Sequence, residues 1–98
     1  MAQFDVYRLA GGELAIDVQT TLISDFNSRV VIPLLRPHDA PVAHHRLNPT
    51  VEIEGERFVV VTQFIIAVDR AELGAPVGNA AAYYDRIKDA YDMLFNGF

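Results

Sequence analysis

The sequence predicts a mostly β fold with one C-terminal α-helix: a small, curved, partly closed antiparallel sheet capped by that helix. Three observations carry this. Apolar and polar residues alternate with period two in the short stretches 4–8, 14–18 and 51–54; Gly11–Gly12 and Glu54–Gly55–Glu56 follow or separate them as turns; and from Asn79 the apolar residues fall at helical spacing. At 98 residues the chain is long enough for one core without staples, and residues 1–98 are expected to form a single domain.

The first strand is expected in "FDVYRL", where Phe4, Val6 and Arg8 alternate with Asp5 and Tyr7. The second is in "ELAIDVQ", with Leu14, Ile16 and Val18 opposite in facing to Ala15 and Asp17. Gly11 and Gly12 between them are a hairpin signal. "RVVIPLL" is a continuous β-branched run, the mark of a strand buried on both faces or at an interface, and Pro33 should end its pairing or place it at an edge. The stretch from Leu34 to Pro49, with Pro37 and Pro41 inside it, reads as one long loop. A second hairpin follows, with Val51 and Ile53 facing one way and Glu52 and Glu54 the other. Some five strands are expected in all. Tyr84, Ile87, Tyr91, Leu94 and Phe98, spaced by 3, 4, 3 and 4, then form one stripe of a helix, with Asn79 as its N-cap.

Composition excludes several function classes. With no cysteine, neither a disulfide framework nor a cysteine-ligated metal is available, and a reducing, cytoplasmic setting is expected. The N-terminus has no signal-peptide pattern, and the apolar run Phe58 to Val68 is far shorter than the roughly 20 residues of a membrane span, so it reads as core. Thirteen acidic against eight basic residues give a net charge of -5, which repels phosphate backbones, and the arginines form no cluster. Direct nucleic-acid binding is therefore not expected.

The candidate chemistry is thin. His38, Asp39, His44 and His45 lie close in the proline-containing loop, but their spacing fits no metal motif, and neither metal nor cofactor is expected. Ser24 and Ser28 have no nucleophile-elbow context, and Gly11–Gly12 lacks the residues of a phosphate loop. Glu52, Glu54 and Glu56 read as a solvated face rather than an acid–base pair. No catalytic residue is expected. The helix is more informative: Asp89 and Asp92 lie in its C-terminal half, where the helix dipole disfavours negative charge, so they belong either to a solvated face or to a recognition surface.

"QFDVY" at the N-terminus, "DVQ" at Asp17 to Gln19, "RVVIPL" at Arg29 to Leu34, then Pro49, Val51, Ile53 and Gly55, Ile87, and a tail ending in glycine and an apolar residue closely resemble the CcdB toxins of bacterial toxin–antitoxin pairs. The match runs in order across nearly the whole chain. The resemblance implies an SH3-like barrel with a C-terminal helix, assembled as a homodimer. It implies a plasmid-maintenance type of toxin that binds the A subunit of DNA gyrase, traps the enzyme with its DNA cleaved and performs no chemistry itself. It also implies neutralisation by a CcdA-like antitoxin whose disordered tail folds on the toxin. Carried over by position, the gyrase-binding residues are Asn96, Gly97 and Phe98, with Asp92 one turn earlier; the match extends to Gln3, Phe4, Tyr7, Thr20 and Leu22. Asn96 stands where familiar members have tryptophan, a residue that commonly anchors interfaces.

Two other functions compete. The barrel that the CcdB resemblance implies is also used by the MazF/Kid toxins, which are sequence-specific endoribonucleases, although the Gly-Asp-Ile pattern of their first strand is missing here and the chain is acidic. A retargeted or inert paralogue that only binds its antitoxin is the other, supported by Asn96. Independently of either, the apolar run around Phe64, Ile65 and Ile66 is more than a chain of this size readily hides, which points to a homodimer.

Overall fold

The computed structural model describes residues 3–19, 27–41 and 44–97. Its strands are β1 (Asp5–Arg8), β2 (Leu14–Asp17), β3 (Ser28–Leu35), β4 (Thr50–Ile53), β5 (Glu56–Val60), β6 (Ile66–Asp69) and β7 (Gly78–Asn79), followed by α1 (Tyr84–Asn96). The strands join in the order β4-β5-β3-β2-β1-β7, with β6 also paired to β3, and every pairing is antiparallel. This is the nearly closed, mostly β barrel with one C-terminal helix that the sequence predicts. The additional strands are β6, cut from the long apolar run by a 3-10 turn at Thr62–Phe64, and the two-residue β7.

The two hairpins form where expected. β1 and β2 pair Val6 with Ile16 and Arg8 with Leu14; the connecting loop closes with Leu9 N–H on Glu13 at 2.8 Å, and Gly12 takes φ +96. In the β4–β5 hairpin Glu54 and Gly55 have φ +53 and +79, the positive values at both central residues that a two-residue I′ turn demands.

Pro33 does not end β3. It pairs with Ala15 of β2 in mid-strand, and β3 extends to Leu35. On its opposite edge β3 meets β6 along residues 28–31 and β5 at Leu34 and Leu35, so Pro33 falls where the neighbour changes. Its carbonyl faces that edge and accepts Val61 N–H at 3.0 Å, so its ring nitrogen also faces the changeover, where no ladder donor is needed.

One face of the sheet carries the core. Val6, Leu14, Ile16, Ile32, Leu34, Val51, Ile53, Phe58 and Val60 pack with Phe4, Ala80 and Ile87 of the helix. The opposite face is covered too along the central strands: Tyr7, Ala15, Asp17 and Val31 are as buried as the core. β2 lies between β1 and β3, and this second face is filled by a polar cluster rather than by water. The apolar run also divides: Phe58 to Val61 are buried, while Phe64 and Ile66 are 47% and 48% exposed.

The helical pattern begins later than expected. Asn79 does not cap α1: its Oδ1 accepts Ala81 N–H at 2.8 Å at the start of a 3-10 turn, Ala81–Tyr83, and α1 follows at Tyr84 with Tyr83 in the N-cap position and no side-chain cap bond. Ile87 and Ala90 are its buried residues, and Tyr91 packs against the core. No helix among the described residues is long and apolar enough to cross a membrane.

Candidate functional site

The residues singled out from sequence fall into two groups. Phe4 packs edge-to-face on Tyr84 in the first turn of α1, with ring centroids 5.3 Å apart. Asn96 is twelve residues further on, about 18 Å along the helix at a rise of 1.5 Å per residue. Gln3, Phe4 and Tyr7 therefore belong to one end of the helix and Asp92, Asn96 and Gly97 to the other. Thr20, Leu22 and Phe98, together with Ser24, lie outside the described residues.

In the first group little side-chain surface is open. Phe4 is 2% and Tyr7 1% exposed, so neither presents its ring to a partner from this protomer. Phe4 takes φ +69, a left-handed conformation uncommon for an aromatic; its N–H bonds Asp17 and its carbonyl accepts Ala80 N–H, which hold the turn in place. Gln3 is half-buried and donates from Nε2 to the Val18 carbonyl at 3.1 Å.

Around them the motifs of the resemblance form a single network. Arg29 donates through Nε and Nη2 to Asp17 Oδ2, at 2.9 and 2.8 Å, with neither side chain exposed. Asp17 Oδ1 accepts Gln19 N–H at 3.0 Å, and Gln19 Oε1 accepts Val30 N–H at 3.1 Å. "DVQ" and the arginine that opens "RVVIPL" thus bind each other and knit β2 to β3. Burial pushes the Asp17 carboxyl above its ordinary value, outweighing the pull of Arg29 and the Gln19 amide. Burial, with Asp5 and Asp17 nearby, pushes the Tyr7 hydroxyl up as well. A carboxylate held this way has no open face for a substrate, so the cluster is a folding device.

The second group is exposed. α1 ends when Gly97 turns left-handed at φ +78 and its N–H bonds the Met93 carbonyl at 2.9 Å, a terminus that glycine makes without strain. Phe95 and Asn96 stand on the surface, and Phe95 is 66% exposed. The stripe reading assigned Leu94 and Phe98 inward and passed over Phe95. An aromatic on the outward face of an amphipathic helix was the signal available.

The two aspartates in the C-terminal half of the helix are already paired. Asp89 receives both Arg46 Nε and Nη2, at 3.1 and 2.9 Å, and Asp92 receives Lys88 Nζ at 3.1 Å. The Arg46 fork holds the Asp89 carboxyl below its ordinary value and ties the long loop to the helix. That loop is further ordered by Asn48, which donates to the Val60 carbonyl and to Gln63, while Gln63 donates to the Pro41 carbonyl. His44 and His45 stack at 4.5 Å, and His38 lies 3.3 Å from Asp39 with both exposed; no group of three potential metal ligands occurs among the described residues.

With this geometry in hand, the comparisons with known proteins are specific. The family model described as "CcdB protein" matches residues 3–97. The chain belongs to the CcdB family. It is a CcdB-type toxin, and its match spans the polar network and the helix end alike. Solved structures share the fold. An endoribonuclease from Mycobacterial species in complex with its cognate antitoxin has TM-score 0.79 at 16% identity, over 97% of this chain and 94% of that one. Another endoribonuclease from Mycobacterial species has TM-score 0.74 at 16% identity, over 97% and 90%. The Mycobacterium tuberculosis toxin MazF-mt6 has TM-score 0.76 at 13% identity, over 96% of each. At such identities the likeness is one of fold. The chain matches no curated relative.

Proposed function

We propose that this CcdB-type toxin acts as a homodimer that docks the C-terminal end of α1 on the A subunit of DNA gyrase, traps the DNA-cleaved complex and performs no chemistry of its own. The observation that carries this reading is the helix end: a glycine-terminated helix that presents Phe95 at 66% exposure beside Asn96. A solvent-facing aromatic at the tip of a rigid element is the kind of anchor that dominates interfaces, and Phe95 supplies the apolar surface that Asn96 does not. Asp92 lies one turn back on the same end, and Phe98 joins it by family position; Gln3, Phe4, Tyr7, Thr20 and Leu22 are proposed as a separate contact region by family position alone. A CcdA-like antitoxin with a disordered tail neutralises the toxin; one of the structural neighbours is itself described in complex with its cognate antitoxin.

A second reading rests on the neighbours described as endoribonucleases. It requires an accessible acid–base pair, whereas the buried Asp17–Arg29 pair is fully enclosed. Incubating purified gyrase and supercoiled DNA with the protein tests both. Accumulation of cleaved DNA that falls at least about tenfold with Phe95→Ala is the expected outcome, since an interface aromatic is commonly worth 2 kcal/mol or more. No cleaved DNA from a folded protein, with cleavage of RNA, would establish the ribonuclease; neither activity would leave a retargeted or inert antitoxin binder.

A further inference from the structure

A second site lies at the opposite end of α1. A shallow cleft of about 280 Å³ is lined by Thr50, Val51, Glu52, Arg57, Tyr83 and Arg86. Arg57 stands directly across from Glu52 in the β4–β5 hairpin, and Arg86 lies on the first turns of the helix with its guanidinium 5.9 Å from the Tyr83 ring centroid. Among the described residues, neither arginine has a carboxylate within ion-pair distance, whereas Arg29, Arg36, Arg46 and Lys88 each do. Tyr83 accepts the Glu52 N–H at 3.1 Å, which fixes the hydroxyl and leaves its own proton to give; Thr50 lines the same space. Two arginines, Tyr83 and Thr50 thus line one cleft in a protein of net charge -5.

We propose that this cleft binds a carboxylate side chain presented by an acidic segment of a partner polypeptide. Paired planar forks match a carboxylate in bidentate geometry. Two arginines against one Glu52 leave a single excess positive charge in the lining, which balances one carboxylate and not a dianionic phosphate. Arg86 is ten residues before Asn96, about 15 Å along the helix, so the site operates whichever macromolecule meets the other end.

The test is a nuclear magnetic resonance titration of the full chain, following the Nε–Hε signals of Arg57 and Arg86. The probes are a capped oligoglutamate peptide, the matching oligoglutamine, inorganic phosphate and an oligouridylate. Saturable shifts with oligoglutamate alone are expected, weakened roughly tenfold by Arg57→Gln or Arg86→Gln, unchanged by Arg36→Gln, and diminishing with salt. Glu52→Gln removes the repelling charge without removing a donor, so it must tighten binding, and this arm stands even if an arginine variant melts early. Equal shifts with oligoglutamine, tighter binding of phosphate or oligouridylate, or no gain in Glu52→Gln would overturn the assignment.

Discussion

Asp17 and Arg29 have no exposed side-chain surface, and Arg29 keeps one nitrogen, Nη1, without a hydrogen-bond partner among the described residues. A buried pair of this kind contributes little net stability, because desolvation offsets the attraction, yet breaking it strands a charge. Arg29→Met, which strands the buried Asp17 carboxyl, is expected to cost about 3–5 kcal/mol in chemical denaturation, while Asp17→Leu with Arg29→Met costs much less than the two single changes added together. A double variant as unstable as that sum would contradict this account. The carboxyl lies above its ordinary 3.8 in the folded chain, so its contribution to stability is greatest below that value and is lost as pH rises through the raised one. A carbon-13 titration of the Asp17 carboxyl should accordingly give a midpoint above 3.8. A midpoint below it would mean that Arg29 wins over burial.

At the scale of elements, α1 is defined by its ends. It is entered through the Asn79-capped 3-10 turn and left through Gly97, where a Cβ would meet nothing within 4 Å and the backbone alone sets the preference for glycine. Gly97→Ala should therefore cost about 1 kcal/mol in a thermal melt and loosen the last turn. A variant as stable as the parent, with protected amide exchange at Asn96, would show that the left-handed terminus is not needed. The hairpins were legible in the sequence because glycine and its neighbours mark positive φ where the strands must reverse. The helix was legible by its stripe, but its first turn was not: 3-10 and α turns share the same local apolar spacing. Tyr7 and Asp17 defeated the alternation because polar side chains at a covered second face look the same in sequence as polar side chains in water. The two exposed ends of α1 were read unequally. Glycine signalled one, while the partners of Arg57 and Arg86 are set by contacts between β4, β5 and the helix that no local spacing encodes.

For the whole molecule, the exposed Phe64 ends the 3-10 turn before β6 and the exposed Ile66 opens β6, which pairs only with β3 among the described strands. Apolar side chains beside a strand with one open edge are costly to leave in water and favour self-association. Sedimentation is expected to give a dimer at micromolar concentration, and Phe64→Ser with Ile66→Ser to shift it to monomer without unfolding. A parent monomer would remove the two-fold arrangement from the gyrase proposal. The changeover of neighbours along β3 bears on how such a chain reaches its native state at all. β5 and β6 compete for the same edge of one strand, and a continuous ladder would let either slide into the other's place. Pro33 leaves a rung out of that edge, so a misaligned zipper stalls there, and the imino acid acts as a register stop during assembly as well as a residue of the finished barrel.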